Sequence, residues 1–189
     1  MKKHLLLEQI NNTAKNIILI APQLADNAVD SHSGKLSRPN GLKKMIDEAV
    51  AILSPRLGGY SAADTPILVS AFSGGYRAAA DCLAHGGMAR QIDGVVLFDA
   101  LYGGRKKFLT WISDNRDAVF IAFNGDSTSA NAAVLESNLA ETGRPVDTAL
   151  PRIIKNGVIA MIDVSTPHWD VPTDGPPRHP LTEILKRWH

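Results

Sequence analysis

The chain reads as a single α/β domain over residues 1–189. A three-layer sandwich is expected, with a mainly parallel sheet of about five strands at its centre. Three observations predict it. Short apolar runs rich in Val, Ile, Leu and Phe recur along the chain and are nearly continuous rather than alternating, the mark of strands buried on both faces. Stretches with helical spacing of apolar residues separate them, the βα alternation that right-handed crossovers require. Finally, 189 residues without an internal repeat or a Pro/Gly/Ser-rich linker are enough for one substantial core.

In chain order, residues 4–14 suit a short helix. Asn16–Ala21 is an apolar run ended by Pro22 and reads as the first strand. Residues 22–40 are polar and rich in Asp, Ser, Asn, Gly and Pro, a loop long enough to carry function. A helix is expected over Gly41–Leu53, with Leu42, Met45, Ile46, Ala49, Val50 and Leu53 on one face and Pro55 and Gly58-Gly59 beyond its end. Pro66–Phe72 is the second strand, followed at once by an Ala-rich helix to His85 that Gly86-Gly87 closes. Gly94–Asp99 is the third strand, Phe108–Ile112 a short helix, and Ala118–Phe123 the fourth strand. A helix over Ser129–Glu141 closes at Gly143. Gly157–Ile162 is the fifth strand, 172–180 a Pro-rich coil, and Leu181–Arg187 a last helix.

Composition narrows the function. A net charge of +1 argues against nucleic acid or an anionic membrane as a partner. Doublets such as Lys43-Lys44 and Lys106-Lys107 read as solvated helix faces. The lone Cys82 permits no intrachain disulfide, and a reducing, cytoplasmic setting is expected. Its place in the Ala-rich helix suits a small core residue. No run approaches the roughly 18 apolar residues of a membrane span. The apolar run after Met1-Lys2-Lys3 stops at Glu8, too soon for a signal peptide.

In open parallel sheets, ligands gather beyond the C-terminal ends of the strands. Residues that follow the five runs include Pro22-Gln23, Ser73, Asp99, Asn124-Gly125-Asp126, and Ser165-Thr166-Pro167-His168-Trp169-Asp170. A serine, two carboxylates and a histidine therefore converge on one edge. Ala71-Phe72-Ser73-Gly74-Gly75 has the layout of a nucleophile elbow, with Ala71 at the first small position. A serine hydroxyl needs a base at neutral pH. Histidine supplies one, and a carboxylate fixes its tautomer and stabilises the imidazolium. Each residue also has an ordinary use. Ser73 could cap the following helix, His168 could be a plain loop histidine, and Asp126 could form a turn or cap. Asp26, Asp30 and His32 share the long loop, but their spacing matches no strong metal-ligand pattern, and neither metal nor cofactor is expected.

The order Ser73…Asp99 or Asp126…His168 is that of the α/β-hydrolase superfamily, which the chain resembles from Asn16 onward. It looks particularly like small bacterial hydrolases with the elements that appear here as Ala21-Pro22-Gln23, Ser73-Gly74-Gly75-Tyr76, Leu97-Phe98-Asp99-Ala100-Leu101-Tyr102-Gly103 and a late histidine, His168. The resemblance implies a serine hydrolase acting on a small-molecule carboxylic ester or related acyl bond. Ser73 would be the nucleophile and His168 the base. Most members carry the acid where Asp126 stands and a minority where Asp99 stands; the Asp-Ala-Leu-Tyr-Gly resemblance favours Asp99. Gly74 would supply one oxyanion amide. A full member carries about three earlier strands, one of which brings the second donor. Here Gln23 is the candidate, if the first strand pairs beside the elbow strand. Tyr76 and Trp169 are candidate substrate contacts. Two rivals stay open. One is a catalytically weak hydrolase-like protein that binds a ligand or partner, with a homodimer covering the exposed sheet edge. The other is an anion- or nucleotide-binding domain using Ser73-Gly74-Gly75, which no phosphate-loop motif supports.

Overall fold

The computed structural model of the chain describes residues 4–24, 32–58, 61 and 65–188. In order, its elements are α1 (Leu6–Asn11), α2 (Gly41–Leu53), β1 (Ile67–Phe72), α3 (Tyr76–His85), β2 (Ile92–Phe98), α4 (Arg105–Asp114), β3 (Val119–Asn124), α5 (Asp126–Glu141), β4 (Ile159–Asp163), α6 (Val171–Asp174) and α7 (Pro180–Arg187). The four strands form one all-parallel sheet in sequence order.

Alternation along each strand divides the core in two. Ala71, Leu97, Ala122 and Met161 lie side by side in register. All four point to the face covered by α2, α3, α4 and α5, where Leu42, Leu83, Phe108, Trp111 and Leu135 pack against them. The next row, Phe72, Phe98, Phe123 and Ile162, points to the opposite face. There α1, α6 and α7 bring Ile10, Val171, Leu181 and Ile184. Phe98 and Phe123 stack with ring centroids 5.4 Å apart. Each fully buried large side chain contributes roughly 1.5–3 kcal/mol.

The register has a direct consequence. Since Phe72, Phe98 and Phe123 are neighbours, the residues that leave these strands, Ser73, Asp99 and Asn124, emerge together at one edge of the sheet. Function can therefore be assembled from residues far apart in sequence.

Four local expectations are corrected. Asn16–Ala21 joins no strand ladder and runs as irregular chain. Ile17, Leu19 and Ile20 are half-buried and Ile18 is 40% exposed, so the run packs loosely rather than entering the sheet. Its apolar composition registers a need for burial, which side-chain packing meets without a backbone partner. The helix expected over Phe108–Ile112 starts at Arg105, and the one expected from Ser129 starts at Asp126. Polar first turns hid both starts. The coil expected over 172–180 holds the single turn α6, with Pro172 in its first turn, where a missing N–H costs nothing. Among the described residues no helix is long and apolar enough to cross a membrane.

Candidate active site

The strand-to-helix transition after β1 is abrupt. Phe72 is still extended, Ser73 has φ 53°, and a 3-10 turn over Ser73–Gly75 leads straight into α3. A left-handed serine costs on the order of 1–3 kcal/mol and persists only where its surroundings hold it. Gly75 and Ala71 lie side by side at the turn: a Cβ on Gly75 would be 3.4 Å from the Ala71 side chain, an ordinary contact. The strained backbone presents Ser73 at the C-terminal edge of the sheet, at the start of a helix.

Asp99, immediately after β2, shares that conformation with φ 40°. Its N–H bonds the Phe123 carbonyl at 2.8 Å, so the strand ladder fixes the residue as it leaves the sheet. The side chain is buried. One carboxylate oxygen, Oδ1, accepts from the Thr128 hydroxyl at 2.6 Å and from the Gly125 N–H at 3.0 Å. The other, Oδ2, lies 2.6 Å from His168 Nδ1. Burial alone would raise the pKa of this carboxyl. The Thr128 hydroxyl, His168 and the Gly125 amide outweigh it and hold the group below the ordinary carboxylate value. Gly125 is needed for space rather than conformation: a Cβ there would sit 3.1 and 3.2 Å from the two Asp99 oxygens.

His168 lies in a 3-10 turn after β4. Its Nε2 is 2.9 Å from Ser73 Oγ. With Nδ1 facing a carboxylate, the neutral imidazole carries its proton on Nδ1 and offers Nε2 as acceptor to the serine hydroxyl. The ring stacks on Phe72 with centroids 4.8 Å apart and meets the Trp169 ring edge-on at 5.2 Å. The Tyr102 hydroxyl is 3.4 Å from Nδ1 and 2.9 Å from Ser127 Oγ. A serine, a histidine and a buried carboxylate are thus in continuous hydrogen-bond contact, the geometry of a charge-stabilised nucleophile–base pair.

The other expected residues fall as follows. Asp126 is exposed, at the first position of α5, where its negative charge favours the helix N-terminus. It bonds neither His168 nor Ser73; the carboxylate that meets His168 is that of Asp99. Gly74 follows Ser73 in the elbow. Gln23 is exposed and, among the described residues, makes no hydrogen bond to Ser73, Gly74 or His168. The proposed approach of Gln23 to the elbow depended on a first strand, and that strand does not form. Tyr76 opens α3, its ring 6.3 Å from that of Tyr102, and Trp169 is 57% exposed beside His168. Asp26 and Asp30 lie outside the described residues. His32 accepts the Gly34 N–H at 2.9 Å through Nδ1. Among the described residues no three His, Cys, Asp or Glu side chains are grouped to hold a metal ion.

Sequence reasoning assigned no role to Thr128, Gly125 or Tyr102. A signal for Thr128 and Gly125 existed in the strand order: in a parallel sheet built in sequence order, the turn after β3 lies beside the end of β2. No family profile matches the chain, nor does any curated protein or solved structure.

Proposed function

We propose that this chain is a serine hydrolase of the α/β-hydrolase type, acting on carboxylic esters or related acyl bonds of a small molecule without a cofactor. The observation that carries the reading is the continuous contact Ser73 Oγ–His168 Nε2 at 2.9 Å and His168 Nδ1–Asp99 Oδ2 at 2.6 Å. In this reading Ser73 Oγ attacks the acyl carbon while its proton passes to His168 Nε2. Asp99 stabilises the imidazolium so formed. The Gly74 N–H is the amide best placed by chain position to meet the developing oxyanion. His168 then protonates the leaving alkoxide, and the acyl group stays on Ser73. A water, deprotonated by His168, attacks the acyl-enzyme and releases the acid. Serine and histidine return to their starting protonation.

Turnover of 4-nitrophenyl esters of graded acyl length tests this. Wild type should release nitrophenolate, and Ser73→Ala and His168→Ala should each lower kcat by at least 1,000-fold. Equal rates in all three would overturn the assignment.

One observation favours a second reading, a hydrolase-like protein that binds a ligand without turning it over. Asn16–Ala21, whose pairing beside the elbow strand would bring Gln23 in as second oxyanion donor, joins no strand, and losing one such donor typically costs about 100- to 1,000-fold. A folded wild type that binds an ester but does not cleave it would select this alternative. The lone, buried Cys82 fits a reducing, cytoplasmic setting for either reading. β1, at the edge of the sheet, is the surface through which a homodimer would form; a monomeric mass by light scattering would remove that proposal.

A further inference from the structure

A groove of about 1430 Å³ lies between α3 and α4. It starts beside the triad. Tyr76 and Tyr102 line its upper end, and Tyr102 is the residue whose hydroxyl reaches His168 Nδ1 at 3.4 Å. Below them the lining is strongly cationic. Arg77, Arg90, Arg105, Lys106 and Lys107 face it, against two carboxylates, Asp81 and Asp114. The whole chain carries a net charge of only +1, so positive charge is concentrated here.

Lys107 is paired, while Arg90, Arg105 and Lys106 form no ion pair among the described residues. Asp81 bonds Lys107 at 2.6 Å and lies 3.5 Å from His85. Arg105 is half-buried, and its guanidinium donates to the side-chain carbonyl of Asn131, a neutral partner that orients it without cancelling its charge. Arg90 and Lys106 are exposed and form no ion pair among the described residues. Arg77 lies over the Tyr76 ring, 5.8 Å from its centroid, where the ring holds it at the end nearest the triad. A half-buried guanidinium held by a neutral amide still has donors in the fork geometry that suits a carboxylate or phosphate.

We propose that this groove binds an anionic end of the substrate, a carboxylate or a phosphate, with Arg105 as the principal anchor, so that the hydrolysed esters carry a negative charge on the part remote from the reacting bond. The proposal rests on the ester-hydrolase reading for its reaction but not for its binding. Arg105 is a specificity-determining residue in this account, and it touches no reacting atom.

The test uses two matched pairs of 4-nitrophenyl esters, glutarate against valerate and suberate against octanoate. Each pair differs in the terminal carboxylate. Wild-type kcat/KM should favour the acid-bearing member of at least one pair by tenfold or more. Arg105→Gln should abolish that preference and leave the neutral ester unchanged, while Arg105→Lys should retain part of it. In parallel, calorimetry on the full-length Ser73→Ala protein should show tighter binding of the acid-bearing ester, weakened at least tenfold by adding Arg105→Gln and by raising the salt concentration. Equal binding of charged and neutral esters by Ser73→Ala would overturn the groove assignment even if both are turned over. Preferential binding of the charged ester with no turnover by wild type would sustain the groove and remove the hydrolase reading. A 4-nitrophenyl acyl ester ending in a phosphate in place of the carboxylate, run beside the others, separates the two anion types. If Arg105→Gln unfolds, Arg90→Gln with Lys106→Gln on the exposed rim carries the same comparison.

Discussion

The Thr128 hydroxyl donates a 2.6 Å hydrogen bond to Oδ1 of Asp99, the oxygen that His168 does not use. That bond ties the end of β2 to α5. Thr128 belongs to the first turn of α5, Asp99 follows β2, and the Gly125 amide completes the cradle at 3.0 Å. The carboxylate is therefore held by its far oxygen while the near one faces the imidazole. Such supporting contacts commonly decide whether a site is merely present or correctly aligned.

Removing the Thr128 hydroxyl should loosen the carboxylate without touching a reacting atom. Losing one hydrogen bond to a buried charge costs about 1–3 kcal/mol. Thr128→Val is expected to lower kcat for a 4-nitrophenyl ester about tenfold and Thr128→Ser to restore most of it. Wild-type kinetics in Thr128→Val would show that Asp99 needs no such support.

Asp99 also ties stability to pH. Its folded pKa lies below the ordinary value near 3.9. The unfolded chain thus binds the proton first on acidification. The stability that the ionised group contributes is present above that ordinary value and is lost as pH falls through the lower folded value. Asp99→Asn should be less stable than wild type at neutral pH, and the gap in urea midpoint should narrow below about pH 4. A gap that stays constant with pH would contradict the hydrogen-bonded carboxylate described above.

How much of this was legible in the sequence follows from what each feature depends on. β2, β3 and β4 were visible because strands buried on both faces are nearly continuous apolar runs, and β1, half-buried at the sheet edge, because its Ile, Leu and Val form a similar run. Ser73, Asp99 and His168 were visible because each stands just past such a run. The resemblance around Asp-Ala-Leu-Tyr-Gly favoured Asp99 over Asp126, but position along the chain did not decide between them, because that turns on which residue the emerging His168 meets in space. Thr128 and Tyr102 act across neighbouring elements and look like ordinary polar residues in a one-dimensional reading. Asn16–Ala21 misled for a related reason: apolar content signals burial, while a strand also needs an edge to pair with. α4 and α5 began earlier than their apolar periodicity because Arg105, Lys106, Asp126 and Ser127 contribute no apolar signal to their first turns.

Cys82 should be chemically silent in the folded protein. It is buried in α3, and burial followed by the nearby Asp81 charge pushes its thiol up to about 11. Thiolate, the reactive form, is then scarce at neutral pH. Iodoacetamide should label Cys82 in denaturant and hardly at all in native buffer at pH 8, as followed by intact mass. Native labelling as fast as that of a free thiol would place Cys82 at the surface.

Gly94 in β2 faces Trp188, the residue that follows α7. A Cβ at Gly94 would lie 2.0 Å from the Trp188 ring, so the last turn of the chain must move to admit it. Gly94→Ala should cost about 1–3 kcal/mol, the usual penalty for overpacking. An unchanged urea midpoint would mean that Trp188 does not seal this face of the sheet.

The central claim is that Ser73 is an activated nucleophile. The most direct measurement is the intact mass of wild type, Ser73→Ala and His168→Ala after incubation with a fluorophosphonate. Activation predicts one adduct on wild type, none on Ser73→Ala and strongly slowed labelling of His168→Ala, with all three folded by circular dichroism. A folded wild type that takes up no adduct, or a Ser73→Ala protein that takes up as much, would contradict it.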